Sequence, residues 1–554
     1  MKKIFFSLAL ALCFCLPARS YSLKDMIPKE KALFLLNISN MTRFRQAMEN
    51  TPFGRLWKDE QFRDAIGEYE TFDDLLFSSA KKEERVLHKK IMSQVAGRFI
   101  FGEDKDKKVF YIIEVDKEKF ENIVEIDRQL SELKERKIDY QTREFRDTTI
   151  YIEIDSSKEK RKIEAYAYID GLVVGMGCES VDKQEWLEKT IAKLQEEPPA
   201  KSYDKAPSME IVICRKGWMN IIDGKGKPDK NSNKLTKLLA LDELKNISIK
   251  ILPSANSFSG EIKISGLPND RGILSLFDMT PIKEAPRLSC VPANTVNYDV
   301  VRLNLKKFFD KGSELLSKFN PAIFMQIKGA LLMSQGKFAG RVDLYEDILV
   351  PLGTELVFFS VDGNDGKQMT MLALPLKDPE KFKKALSIII DSNESRPFFE
   401  KEKFMDIELY KLKNLPFLDD KNLSFAVCGG IFYAGRGIFL RDTIGAALSE
   451  NNNGNSFYDT LNSKLLAKAA PENSFAYKYS RPRDILKDII SIVQDKESGK
   501  KWKDTLNKHV DFEKLDAESI GEYFGPLFSS CEWRNGLLIF NFKMCNPQDG
   551  EESR

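Results

Sequence analysis

Two stretches of this chain carry the same pattern of apolar and polar positions. In residues 109–124, VFYIIEVDKEKFENIV, a run of β-branched and aromatic residues gives way to an acidic residue, then to apolar residues at helical spacing. Residues 369–386, MTMLALPLKDPEKFKKAL, repeat it, with Asp116 aligned on Asp378 and Phe120 on Phe382. Each stretch predicts a strand stepping into a helix. Asp378 accepts from free N–H groups of the first helical turn, Pro379 suits the first helical position, and Glu380 adds charge near the positive helix end. Phe382, Ala385, Leu386 and Ile389 then share one face, as Phe120, Ile123, Val124 and Leu130 do in the first copy. Both strands read as buried, because their apolar residues run on without strict alternation.

The surrounding pattern extends the repeat. In the first half, 32–38 predicts a strand and a helix follows from about Met41, broken at Thr51-Pro52. Helical spacing returns through Ile66, and a charged helix carries Lys81, Lys82, Glu83, Glu84 and Arg85. Residues 97–101 and 109–115 predict a hairpin around a polar turn. Strands follow at 149–154 and at 165–174, the latter folded on Asp170-Gly171, a dipeptide that favours hairpin turns. A helix spans 186–194, 196–199 reads as a linker, and 209–214 and 247–264 supply the last strands around a polar loop at 224–230. In the second half, 296–303 predicts a strand, and 305–316 and 321–333 predict helices. A strand at 352–359 precedes a turn at 362–366. Strands at 407–412, 423–433 and 474–479, a helical stretch at 484–492 and a closing hairpin on Asn535-Gly536 complete the pattern. Ala167 aligns with Ala426 and Gly171 with Gly430. The expectation is an α+β fold of two similar domains, each mainly antiparallel sheet with packed helices. The predicted divisions are a signal peptide at 1–20, a first repeat at 31–266, a connection at 267–294, a second repeat at 295–545 and a polar tail at 546–554. The connection carries Pro268, Pro281, Pro286 and Pro292.

The N-terminus predicts the compartment. Lys2 and Lys3 precede an apolar run from Ile4 to Leu16, and Ala18-Arg19-Ser20 fits the small-x-small rule for cleavage between Ser20 and Tyr21. The run is shorter than the roughly 18 residues of a spanning helix. A lipoprotein signal at Cys13 is a poorer match, because Leu12 stands where a small residue is wanted. No later segment is long and apolar enough to span a membrane. The mature protein is expected to be exported from a bacterium, to the periplasm or the medium. Lys plus Arg number 86 and Asp plus Glu 84, and this balance provides no whole-protein field for nucleic acid. The six cysteines beyond the signal are Cys178, Cys214, Cys290, Cys428, Cys531 and Cys545. None forms a C-x-x-C pair, and the pattern leaves buried thiols and disulfides both open.

Short motifs add a resemblance. They are the opening Leu-Asn-Ile with Thr51-Pro52-Phe53-Gly54-Arg-Leu-Trp, the stretch from Asp343 through Asp347 and Gly353 to Glu355, and the closing Phe524-Gly525-Pro with Trp533 and Asn535-Gly536. Together they resemble a large, duplicated, exported bacterial family of unknown function, frequent in planctomycetes and their relatives. The resemblance covers most of the mature chain. It implies export and an α+β fold, and it supplies no catalytic residues.

Candidate chemistry is sparse. His88 and His509 are the two histidines, both in charged helical contexts that read as solvated. H-E-x-x-H, G-x-S-x-G and Walker signatures do not occur. Gly175-Met-Gly177 and Gly435-Arg-Gly437 share part of a dinucleotide fingerprint. Each follows the return leg of a hairpin, where the fingerprint needs a βαβ unit. No carboxylate pair is singled out by spacing. Catalytic residues, cofactor and transition metal are therefore all expected to be none. The reading is an exported, non-enzymatic binding or envelope-associated protein, whose partner is an unknown ligand or an envelope protein. An exported hydrolase with a carboxylate site formed only in the fold, or a structural subunit of an envelope assembly, are the alternatives. If helices cover one face of each sheet, the other face or a domain junction is the expected ligand surface.

Overall fold

Asp116 and Asp378 cap their helices as the pattern requires. The Asp116 carboxylate accepts from Lys119 N–H at 2.9 Å, and that of Asp378 from Lys381 N–H at 3.0 Å. The helices they start run Lys117–Leu133 and Pro379–Asp391. The computed structural model describes residues 26–27, 32–66, 81–104, 108–157, 161–178, 180, 184–197, 207–215, 217–219, 230–283, 287–337, 342–363, 368–393, 395–413, 423–449, 456–470, 472–483, 511 and 514–547. The predicted signal peptide with Ser20 and Tyr21, the predicted loop at 224–229, turn at 364–366 and helical stretch at 484–492, His509 and most of the predicted polar tail lie outside them.

The fold mixes helices with extensive antiparallel sheet, and the chain divides into two units. The first comprises Met1–Ile222 with Asn246–Ala255. Its strands are β1 (Ala32–Ile38), β2 (Phe99–Asp104), β3 (Val109–Glu114), β4 (Ile138–Phe145), β5 (Thr148–Asp155), β6 (Lys162–Ile169), β7 (Leu172–Cys178), β8 (Met209–Cys214) and β9 (Asn246–Ser254). They pair antiparallel in the order β9-β8-β1-β2-β3-β7-β6-β5-β4. Helices cover both faces. On one, Leu187, Ile191 and Leu194 of helix Glu185–Glu196 pack on Ile152, Ala165, Ala167 and Val174. On the other, Phe120 of helix Lys117–Leu133 packs on Val115, Tyr166 and Val173. The expected bare sheet face is thus occupied over these strands. Ile27 is buried in the first of these cores, and Trp186 Nε1 donates to Met26 O at 2.8 Å.

The second unit comprises Asp223–Lys245 with Asn256–Arg554. Its strands are β10 (Ser257–Ser265), β11 (Asn297–Arg302), β12 (Glu355–Asp362), β13 (Gln368–Pro375), β14 (Phe399–Phe404), β15 (Ile407–Leu412), β16 (Leu423–Cys428), β17 (Ile431–Arg436), β18 (Ser474–Ser480), β19 (Leu527–Arg534) and β20 (Leu537–Cys545). The order is β10-β20-β19-β18-β11-β12-β13-β17-β16-β15-β14, again antiparallel throughout. Helix Gly437–Leu448 covers Val357, Phe359, Met371 and Ala426 through Phe439, Leu440 and Ile444. On the opposite face Phe382 packs with Leu356, Leu374 and Val427. Residues 267–294, read as a connection, contribute Ile282, Leu288, Cys290 and Val291 to the first of these cores.

The hairpin dipeptides form their turns. Asp170 and Gly171 have φ of 48° and 84°, and Asn535 and Gly536 have 53° and 75°, the left-handed pair that matches strand twist. Cys178, Cys214, Cys290, Cys428, Cys531 and Cys545 are free thiols, all buried except the partly exposed Cys214. No helix among the described residues is long and apolar enough to cross a membrane.

Candidate functional site

Two features stand apart from ordinary packing. The first lies beneath helix Lys117–Leu133. Strand alternation sends Tyr151 and Glu153 of β5, and Glu164, Tyr166 and Tyr168 of β6, to the face this helix covers. Tyr111 of β3 joins them. Glu153 and Glu164 are direct partners across the β5–β6 ladder, a like-charge pairing that costs stability when both are ionised. Each has a tyrosine donor: Tyr166 Oη donates to Glu153 Oε1 at 2.8 Å, and Tyr111 Oη to Glu164 Oε1 at 2.8 Å. Tyr151 stacks on Tyr166 with ring centroids 5.4 Å apart, and Phe120 stacks on Tyr168 at 5.2 Å.

Gly175 makes this reach possible. It sits in β7 between Tyr111 of β3 and Tyr166 of β6. A Cβ there would fall 2.2 Å from Tyr111 Cζ, so only glycine lets that ring lie across β7 toward Glu164. Burial raises the Glu153 carboxyl to about 7; the Tyr166 hydrogen bond opposes the rise, and the charges of Asp127 and Glu164 add to it. Burial also raises Glu164, against the Tyr111 bond, and raises Asp127 on the covering helix, against Arg136 and Lys134. The Arg128 guanidinium stands 5.4 Å from the Tyr140 ring centroid at the rim of this layer. Among the described residues no group of three His, Cys, Asp or Glu side chains is placed to hold a metal ion. Burial thus holds the carboxyls of Glu153, Glu164 and Asp127 above their ordinary values, against the hydrogen bonds and cations that oppose it.

The second feature is a pair of helices in the second unit, Leu305–Phe319 and Pro321–Lys337, joined at Asn320. The first starts on Asn304, whose side chain accepts from Lys307 N–H at 3.0 Å. It is anchored by Lys307 Nζ donating to Phe277 O at 2.9 Å and Lys234 Nζ donating to Phe319 O at 2.8 Å. None of its residues is fully buried. The second helix exposes Ile323, Met325 and Ile327 to 44%, 63% and 45%. At 100° per residue, Ile323 and Ile327 fall on one side of the axis and Met325 on nearly the opposite side. Apolar residues exposed on two sides of one helix are unusual in water. Phe308 and Phe309 on the first helix are exposed as well.

The residues singled out in the sequence resolve differently. Gly175 and Gly177 lie inside β7, and Gly435 inside β17, where a Cβ would meet Thr370 O at 2.7 Å. Gly437 begins helix Gly437–Leu448. β6–β7 and β16–β17 are antiparallel hairpins without the βαβ crossover of a phosphate loop, and Gly175, Gly177 and Gly435 serve close packing. His88 lies on helix Lys82–Gln94, where burial, then the nearby Lys134, hold its imidazole below the ordinary value. The Glu153–Glu164 pair was missed, because residues 11 apart in sequence become neighbours only through strand register.

No protein-family profile matches the chain, and no curated protein matches it. Among solved structures, crystal form IV of TP0453 is 10% identical over 42% of this chain and 76% of that chain, with a TM-score of 0.25. Crystal form III of TP0453 is 10% identical over 46% and 86%, with a TM-score of 0.24. Likeness at this level carries nothing about fold or function.

Proposed function

We propose that this chain is an exported, envelope-associated binding protein built from two copies of one α+β unit, and that it is not an enzyme. The observation that carries the envelope reading is the exposure of Phe308 and Phe309 on helix Leu305–Phe319 and of Ile323, Met325 and Ile327 on helix Pro321–Lys337. A surface of that kind is a cost in solution and an asset against a partner. The signal-like N-terminus and the resemblance to a duplicated exported family agree with it.

Strand order supports the duplication. The ladder β9-β8-β1-β2-β3-β7-β6-β5-β4 recurs as β19-β18-β11-β12-β13-β17-β16-β15-β14, each number raised by ten. Ile150 pairs with Ala167 as Leu409 pairs with Ala426. On that register Glu153 and Glu164 correspond to Leu412 and Leu423, Tyr166 to Phe425, and Tyr111 to Leu372. The same layer is therefore apolar in the second unit. The fold does not require the carboxylates, so their presence in the first unit asks for a separate reason.

A hydrolase reading rests on one observation, the Glu153–Glu164 pair with one member near neutral in pKa. Both carboxylates are engaged by tyrosines beneath a helix, which favours proton storage over turnover. Cell fractionation tests the main reading: the mature protein should co-fractionate with the envelope. Recovery in the cytoplasm with Met1 intact would overturn it.

A further inference from the structure

The helix pair carries more than exposed apolar residues. Residues 305–337 hold six lysines, at 306, 307, 311, 318, 328 and 337, against Asp310 and Glu314, a net charge of +4 in a protein whose total is +2. Glu314 is shared by two of the lysines, Lys311 at 3.1 Å and Lys318 at 2.7 Å, so it cannot neutralise both. Lys307 bonds a neutral carbonyl and keeps its charge. Lys328 lies exposed on the second helix, within a turn of Ile327.

Exposure decides what such a surface fits. A protein groove covers one stripe of a helix, with anchors spaced three or four apart. Here Met325 faces away from Ile323 and Ile327, and all three are exposed. A medium that surrounds a helix satisfies that arrangement, and lipid is such a medium. The Pro321–Lys337 helix has 17 residues, about 25 Å at 1.5 Å per residue, and it is interrupted by lysine. It is too short and too broken by lysine to cross the hydrocarbon core, which leaves the boundary layer.

We propose that the helix pair docks on an anionic lipid surface. Ile323, Met325 and Ile327 enter the boundary between headgroups and acyl chains, and Lys311, Lys318 and Lys328 face lipid phosphates. This rests on the envelope-associated reading and names its partner. Lysine stems suit the geometry, since their methylenes lie along apolar surface while the ammonium stays at the headgroup level.

The test is co-sedimentation of the full mature chain with protein-free vesicles, either phosphatidylcholine alone or an equal mixture with phosphatidylglycerol. Binding should require the anionic lipid and weaken in 0.5 M NaCl, because exposed charges are screened over about a Debye length. Ile323→Ser, Met325→Ser and Ile327→Ser combined should lower the partition coefficient by about tenfold or more, while thermal unfolding stays as in the parent, since these side chains are exposed. Lys311→Gln, Lys318→Gln and Lys328→Gln combined should remove the dependence on anionic lipid. Binding unchanged by the serine variant would overturn the proposal. So would a dimer in solution that dissociates with the same substitutions, which would make a second copy the occupant. If the protein fractionates with the envelope yet ignores vesicles, its partner is a protein; the lipid proposal then falls and the envelope reading stands. If it does neither, both fall.

Discussion

Replacing Glu153 by Gln isolates the cost of the charged layer under helix Lys117–Leu133. The carboxyl is raised from 4.5 to about 7 in the folded protein, chiefly by burial. At 1.36 kcal/mol per pKa unit, ionising it there costs about 3 kcal/mol. The sign follows from proton counts. Between pH 4.5 and 7 the unfolded chain has released this proton and the folded chain still holds it. Stability from this group is therefore complete below pH 4.5, falls as pH rises, and levels off above about 7. Glutamine keeps an oxygen acceptor for Tyr166 and cannot ionise. The variant should match the parent near pH 4.5 and exceed it by up to about 3 kcal/mol at pH 8. His88 works in the opposite direction below pH 6.5, because its lowered pKa costs stability as it protonates, so the difference between parent and variant is the proper readout. Scanning calorimetry of the full chain from pH 4.5 to 8.5 would record it. A parent–variant difference that stays flat with pH, or a parent more stable than the variant at pH 8, would refute the argument.

Other outcomes follow from single contacts. Gly175→Ala should displace the Tyr111 ring and lower stability by about 1–3 kcal/mol, seen as a reduced Tm. Asp378→Ala removes the cap that holds Lys381 N–H and should cost about 1 kcal/mol in urea unfolding. N-terminal sequencing of the exported protein should begin at Tyr21; a start elsewhere removes the cleavage assignment.

Much of the fold was legible because its signals are local. Asp116 and Asp378 announce their helices through side chains that bond three residues on, and Asp170-Gly171 and Asn535-Gly536 announce turns through their tolerance of positive φ. β4 and β14 were not read. Their sequences, IDYQTREF and FEKEKF, carry the charges expected of edge strands and lack an apolar rhythm. Helix Lys230–Leu238 was also missed, since Asn231, Ser232 and Asn233 favour turns and only Leu235 and Leu238 mark an apolar face. The acidic layer was illegible for a different reason. Glu153 and Glu164 look like any surface glutamates until β5 and β6 are placed in register, and Gly175 looks like a loop residue until Tyr111 crosses over it. The exposed helix pair was read as two helices, but sequence alone does not say which faces go uncovered.

The six free thiols bear on how the protein matures. A chain delivered to an oxidising compartment with cysteines accessible during folding risks wrong bridges. Here Cys178, Cys290 and Cys531 are buried in strands or cores, with burial pushing them up to about 11, 11 and 12, so little reactive thiolate exists once folding is complete. The fold holds together without a disulfide among these six cysteines. Export to an oxidising compartment, as proposed, would put the interval before the sheets close at risk and reward rapid folding more than oxidising power.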